Sequence, residues 1–539
     1  MENPKPWEAA VNAASPVDTN FGLRSPWDKS VNPAVMHTPI RWQGFIKDLE
    51  IVGELPKQIK GTFYRVAADP FYPMHPDNWL PIEGDGNVTA FRFADGQVDM
   101  KVRYVETERL KLERQAGKRL FGLYRNPYSH HPCVQAAVDS TANTNLVLWA
   151  GKLIALKEGN LPYELDPNTL ATRGYDPFKA PDNSKTFTAH PKVDPFTNEL
   201  VVFGFEAKGL ATTDAVIYTL DKNGVTKDVS WVKCDWQTMI HDCVVTENFI
   251  ILLCMPFEAN LQRMKEGKHH WRWLPEHKSA FLVAPRRPGK NLPPGWKIGE
   301  WRTYYWGNCI TIHSAGGWEE NGKIYLETSR MRGMNLFAAF NGPEVPPFDP
   351  TKPPNFTSDL PLWEIDLSLP DGATLPDPSI TVGHPAEFMR IDERFLTQKY
   401  QYVFGIAIYP LVPPGPLGFN CFFKHDRKTG KNEYYYPGDQ CSVEEPIFIP
   451  RSKDAPEGDG FIVGMVEHQE AGYSELVVLD SNNFSQPVAL VKAPFRLMNQ
   501  IHGNWCDIDA IPGDGGSSLA PEFEFSNVKV SGQGLLPLS

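Results

Sequence analysis

The sequence predicts an all-β protein with a β-propeller architecture, and three observations carry this. Its 539 residues include Gly 42 and Pro 49, an abundance that suits short strands joined by turns better than helices. A short apolar strand that ends in Asp and enters a turn recurs along the chain. A second unit recurs as well: a His or polar segment, then a turn, then a strand. Repetition of such units is the pattern of a propeller, whose blades bury their faces against one another. An array of two-sheet sandwiches is the alternative architecture for the same pattern.

The elements follow in order. Residues 1–40 are rich in Pro, Asn and Ser and read as an arm wrapped on the surface or as a partly disordered segment. Beyond them no linker or low-complexity segment divides the chain, so 41–539 read as one domain. Residues 146–158, LVLWAGKLIALKE, form an apolar hairpin with Ala150-Gly151 as its turn. That stretch ends on Lys157 and Glu158, which as strand neighbours would face opposite sides. The strand-to-Asp unit appears as YELDPNTL from Tyr163, YTLDKNG from Tyr218, WEIDLS from Trp363 and LVVLDSNNF from Leu476. In each the Asp side chain is placed to cap its own turn. The second unit appears as PKVDPFTNELVVFGFE, HDCVVTENFIILLC and HSAGGWEENGKIYLETS. Residues 258–268, EANLQRMKEGK, are the expected short helix.

Several classes are disfavoured. A net charge of -12 argues against nucleic acid as a partner. The strongest apolar run, FIILLCMPF at 249–257, falls far short of the ~20 residues of a membrane helix. The N-terminus lacks a signal pattern, so a cytoplasmic location is expected. The eight cysteines form no CxxC and read as buried thiols. No GxSxG, P-loop or HExxH motif appears.

Four of the 14 histidines share a context. His241, His313 and His502 each follow Ile, and His190 follows Ala; each lies near a strand end, beside a turn. The others read differently. His130-His131 and His269-His270 are expected at the surface, and His75, His277, His384, His425 and His468 lie in turn-like or charged contexts. Inner strands of a propeller converge on its axis, so histidines from different blades can meet at one metal.

Longer segments then match a family. LEIVGELPKQIKGTFYRV, IEGDGNV at 82–88, the four His segments, EFMRID at 387–392 and EEPIFIP at 444–450 occur in the order found in the carotenoid cleavage oxygenases, which the protein resembles from about Ile46 to about Trp505. The resemblance implies a seven-bladed propeller with few short helices, loops capping a metal site, and Fe(2+) held by His190, His241, His313 and His502. Neutral imidazole suits Fe(2+). It also implies three carboxylates behind the ligands, which fix ring tautomers and offset charge. These are Glu158 for His241, Glu387 for His313 and Glu445 for His502, leaving His190 without one. Thr144 matches a Thr whose methyl group crowds a vacant metal position.

Departures from the family point to a branch. Arg65-Val66-Ala67-Ala68-Asp69-Pro70 stands where many carotenoid cleavers read RNGP, and Ile82-Glu83-Gly84-Asp85-Gly86 where they read FDGDG. These resemble the branch, here of fungal type, that cleaves the exocyclic double bond of phenolic alkenes: lignostilbenes, resveratrol, isoeugenol or vinylguaiacol. The resemblance implies that Tyr124 and Lys157 grip the substrate's 4-hydroxyl. A hydrogen-bonded or ionised para phenol pushes electron density into the alkene, which then reacts more readily with activated oxygen. Phe337 is a candidate for the pocket wall. The expected partners are a phenolic alkene and O2, with no nucleic acid, membrane insertion or obligate protein partner. The alternative is a carotenoid or apocarotenoid cleaver with a longer tunnel and a docking patch such as YPLVPPGPLGF at 409–419. A calcium-type hydrolytic propeller, the rival from another class, would call for oxygen ligands instead of four histidines.

Overall fold

The computed structural model describes residues 39–73, 80–287, 292–333, 340–341, 357–408, 418–513 and 519–520. Seven sheets of four or more strands form the blades of a propeller. Their inner strands are Gln500–Asp507 in blade one, Asn145–Trp149 in blade two, Lys192–Asp194 in blade three and Cys243–Val245 in blade four. Ser314–Glu320 and Ala386–Arg390 serve blades five and six; blade seven uses Cys441–Val443 followed by Ile447–Pro450. The ring closes in blade one, where Gln500–Asp507 pairs antiparallel with Gly61–Asp69 and sets Phe63 opposite Trp505. Segments far apart in sequence thus complete one sheet and close the ring.

Burial on both faces explains the apolar runs. In Phe249–Cys254 every residue is buried. Phe249, Ile251 and Leu253 pack into the cluster with Leu326 and Trp363 of blade five. Ile250, Leu252 and Cys254 pack the opposite way, against Val201, Phe203 and Ile217 of blade three. Each large side chain so placed contributes roughly 1.5–3 kcal/mol. Apolar side chains on alternate faces weld neighbouring blades together.

The hairpin at 146–158 forms as expected between Asn145–Trp149 and Lys152–Leu156. Ala150 and Gly151 have φ of 49° and 75°, the left-handed pair of a two-residue turn. The strand stops at Leu156, so Lys157 and Glu158 lie just past it. All eight cysteines are free, and all but Cys441 are buried. Among the described residues no helix is long and apolar enough to cross a membrane. Residues 1–38 of the N-terminal arm, His75, Phe337 and 409–417 of the Pro-rich segment lie outside the described residues.

Two expectations need correction. The helix at 258–268 shrinks to Leu261–Lys265, because Phe257–Ala259 instead pairs with Trp271–Trp273. Asn260 starts the helix by accepting from Gln262 and Arg263 N–H. An unpredicted helix, Glu108–Ala116, has Thr107 as its N-cap and left-handed Gly117 as its C-cap. The histidine pairs are not at the surface either: His130, His269 and His270 are buried. His270 sits between the Arg125 carbonyl and Glu206, both 3.0 Å away. His130 accepts the Gly122 N–H through Nδ1. His425 is buried too, with Asn432 Oδ1 2.7 Å from its Nδ1.

Candidate metal centre and adjoining cavity

All seven blades contribute to one axial cluster. His190 and His241 each lie two residues before the inner strands of blades three and four, and His313 lies one residue before that of blade five. His502 is inside the inner strand of blade one. Blades two, six and seven supply Glu158, Glu387 and Glu445. Register shifts occur beside His502, His313 and Glu387. A bulge re-aims a side chain that regular pleating would send between the blades.

The four imidazoles converge through Nε2. His190 and His241 approach to 3.0 Å, His241 and His313 to 3.1 Å, and His313 and His502 to 3.2 Å. One ligand atom from each lies within 4.8 Å of every other. Behind them, Glu158 Oε2 is 3.0 Å from His241 Nδ1, Glu387 Oε2 is 2.6 Å from His313 Nδ1, and Glu445 Oε2 is 3.1 Å from His502 Nδ1. Among the described residues His190 has no carboxylate partner.

Electrostatics favour ionised carboxylates behind the rings. Burial opposes ionisation of Glu158 and Glu445, but the groups facing them prevail and hold both down to about 2. For Glu158 the first of these is His241; for Glu445 they are Arg390 and His502. Glu387 is lowered likewise against burial, by His313. Burial pushes His190 well below its usual range, reinforced by the three other rings, and brings His502 to about 4; at His241 burial acts the same way, but Glu158 outweighs it and raises that ring. A neutral ring whose Nδ1–H faces a carboxylate has a bare lone pair on Nε2. Lone pairs turned on one point at 3.0–3.2 Å cannot all be satisfied by hydrogen bonds to one another. They suit a cation, because ligands about 2.1 Å from a metal and at right angles are about 3.0 Å apart. The donor set therefore fits a divalent transition metal.

Polar clamps hold the inner strands behind the ligands. Lys192 Nζ meets Asp242 Oδ1 at 2.8 Å, and Asp242 Oδ2 accepts from Ser314 N–H and O–H, each at 2.8 Å. This joins blades three, four and five immediately after His190, His241 and His313. Asn504 donates to Asn145 Oδ1 at 3.0 Å, and Asn145 donates to the Ala189 carbonyl at 2.8 Å, joining blades one, two and three. Arg390 reaches from blade six to the Gly503 carbonyl and to Asn504. Sequence reasoning missed these clamps.

On one side of the cluster is an apolar cavity of about 130 Å³. His241, His313 and His502 border it with Thr144, Lys157, Glu158 and Phe388. Phe388, a wall residue that sequence reasoning missed, has φ of 52° and its ring lies 4.7 Å from that of His313. Lys157 brings the cavity a buried ammonium group. Its Nζ donates to Asn143 Oδ1 at 3.1 Å and to the Ile82 carbonyl at 3.3 Å, and lies 4.7 Å over the Tyr124 ring. Burial lowers Lys157 to about 8, although Glu158 and Glu83 draw it upward. The glycines of IEGDG make this pairing possible. A Cβ at Gly84 would meet the Ala68 backbone at 2.5 Å, and one at Gly86 the Ala142 carbonyl at 2.3 Å. The close approach brings the Ile82 carbonyl and Asn143 to Lys157.

Tyr124 is placed differently from Lys157. Its hydroxyl donates to Glu158 Oε1 at 3.1 Å. It borders a polar cavity of about 20 Å³ beside the apolar one, with Lys157 lining both. Burial and the Glu158 charge raise its pKa well above the phenolic range, so the hydroxyl keeps its proton. Glu158 therefore receives both the His241 ring and the Tyr124 hydroxyl.

Comparison with known proteins places this architecture. A family model described as Retinal pigment epithelial membrane protein matches residues 38–507. The protein belongs to that family, the carotenoid oxygenases. It is 51% identical over 539 residues to Resveratrol cleavage oxygenase 1 of Botryotinia fuckeliana (strain B05.10), an alignment covering 99% of this sequence and 95% of that protein. It is 37% identical to the Isoeugenol monooxygenase of Pseudomonas putida, with 87% and 96% covered. The crystal structure of Pseudomonas brassicacearum lignostilbene dioxygenase superposes with a TM-score of 0.82 at 36% identity, covering 88% of this protein and 98% of that one.

Proposed function

We propose that this protein is an Fe(2+)-dependent dioxygenase that cleaves the exocyclic carbon–carbon double bond of 4-hydroxyphenyl alkenes with O2, giving aromatic aldehydes. Its substrates are stilbenes such as resveratrol or phenylpropenes such as isoeugenol. One observation carries the reading: a buried lysine ammonium shares an apolar cavity with the four-histidine cluster. A hydrocarbon carotenoid offers no group for that cation. The names of the relatives, resveratrol cleavage oxygenase and isoeugenol monooxygenase, agree with a phenolic alkene.

His190, His241, His313 and His502 would hold the iron, and their neutral rings suit Fe(2+). When bound, iron supplies the activation of O2. Every other task falls to the protein's own residues. Glu158, Glu387 and Glu445 keep three ligand rings in one tautomer. The methyl group of Thr144 narrows the cavity beside the cluster. Lys157 binds the 4-oxygen and stabilises negative charge on it, in a site where low polarity strengthens the pairing. Charge on that oxygen raises electron density at the exocyclic alkene. Tyr124 underlies the ammonium with its ring face and donates its hydroxyl to Glu158, the carboxylate behind His241. Apolar walls including Phe388 hold the alkene against the cluster and exclude water.

The test is aerobic incubation of the Fe(2+)-loaded protein with resveratrol, isoeugenol and a carotenoid, followed by aldehyde analysis. Aldehydes from a phenolic alkene and none from the carotenoid are expected. Cleavage of the carotenoid alone would sink the phenolic reading. Activity unchanged after iron removal would end the oxygenase reading altogether.

A further inference from the structure

Blade seven carries a second cluster of reactive side chains. Cys441 begins the inner strand Cys441–Val443 and stands directly opposite His468 of Gly460–His468. Tyr473 of the next strand stands opposite His468 on its other side. In a sheet, directly opposed residues share a face. Glu475, two residues beyond Tyr473, returns to that face. The side chains meet accordingly: Cys441 Sγ is 3.4 Å from His468 Nδ1, and His468 Nε2 is 2.7 Å from Glu475 Oε1. The Tyr473 ring stacks on the imidazole at 4.4 Å and 14°.

This is the order of a nucleophile, a base and a group that orients the base. Glu475 takes the Nε2–H, so the neutral ring presents Nδ1 as an acceptor to the thiol. The other ionisable groups acting here are Tyr435, Tyr436, Tyr473 and Lys492, the last ion-paired to Glu50 at 3.0 Å. Cys441 is also the one cysteine of eight that reaches the surface. None of these residues touches the histidine cluster, and the oxygenase reaction has no use for a thiol.

We propose that Cys441 is a nucleophilic thiol, activated by His468 and Glu475, and a covalent capture site for electrophiles of the α,β-unsaturated carbonyl class. The thiol proton passes to His468 Nδ1 as Sγ attacks the β-carbon and forms a C–S bond. The alkene π pair moves onto the carbonyl as an enolate, and His468 returns the proton to the α-carbon. The net change is addition of S–H across C=C, with nothing oxidised or reduced. The Tyr473 ring stacked on His468 holds the imidazole in place, and a soft thiol adds readily to the β-carbon of a conjugated carbonyl.

N-Ethylmaleimide, a conjugated carbonyl, tests this on the full-length, iron-loaded protein, with adducts located by peptide mass spectrometry. A single adduct is expected on Cys441 at pH 7, absent in Cys441→Ser. His468→Asn should slow its formation about tenfold at pH 7. The same variant should label normally at pH 9, where a thiol ionises without a base. Glu475→Gln should give a smaller slowing, and it serves in place of His468→Asn if that variant fails to fold by melting temperature. Equal rates at pH 7 in wild type and both variants would mean an exposed, unassisted thiol and overturn the proposal. So would the absence of a Cys441 adduct in the folded protein. Both outcomes are independent of whether the oxygenase is active.

Discussion

The two ends of the apolar cavity are built on different principles. At the metal end, four rings come from the inner strands of four blades or the residues just before them. Three are backed by carboxylates, and neighbouring strands are clamped through Asp242, Asn504 and Arg390. At the end proposed for the phenol one cation, Lys157, rests on loop groups: Asn143, the Ile82 carbonyl and the face of Tyr124. The first end is shared among all seven blades. The second depends on one side chain and the close approach of two loops. Metal binding should therefore define the scaffold, while substrate choice can change with few substitutions.

Ligand loss is the most severe way to break the comparison. His241→Ala or His313→Ala should abolish both stable iron binding and turnover, read by metal analysis and aldehyde yield. The next effect separates the ends. Lys157→Met should lower kcat/KM for a 4-hydroxystilbene by about 10²–10³, the size of losing one preorganised charge-stabilising donor. Its iron content should be unchanged. Glu445→Gln should do the reverse, costing about 10–100-fold in iron affinity or activity with free-phenol preference retained. Tyr124→Phe should be mildest, about tenfold, because Lys157 remains to hold the oxygen. It should also affect both ends, since the Tyr124 hydroxyl donates to Glu158 behind His241.

pH sharpens the same contrast. Burial brings Lys157 to about 8, with Arg109 and Arg125 lowering it further and Glu158 and Glu83 opposing. The ammonium is present below that value and lost above it, so kcat/KM for phenolic substrates should fall as pH rises through about 8. Stability runs the other way. The unfolded lysine keeps its proton up to its ordinary 10.5, so between about 8 and 10.5 the unfolded state binds more protons and this residue's contribution to stability rises with pH. The activity limb should disappear in Lys157→Met, as a pH-rate profile would reveal.

Legibility in the sequence follows the same divide. The strand-to-Asp repeats and the Ile-His segments point to blades converging on an axis, because both are local patterns that recur from blade to blade. The hairpin at 150–151 is legible for the same reason. The roles expected of Lys157 and Glu158 come instead from family resemblance, since adjacent charges say nothing about which cavity each will meet. Phe388 is invisible in sequence because its exposure to the cavity depends on a left-handed backbone at a bulge. His270 misleads because its basic neighbours are local, while Glu206, its partner, lies 64 residues away. The Lys192–Asp242–Ser314 clamp is hidden likewise, as it exists only between blades. Glu108–Ala116 goes unpredicted despite its Thr107 and Gly117 caps, because its alternation of charged and apolar residues gives no strong helical face.

The most direct test compares resveratrol with its fully O-methylated ether, in wild type and in Lys157→Met at equal iron occupancy. Wild type should cleave the free phenol far faster than the ether, and the variant should lose most of that preference while the slow rate on the ether stays the same. An unchanged preference in the variant would contradict the account, because the phenol would then be read by something other than the buried ammonium.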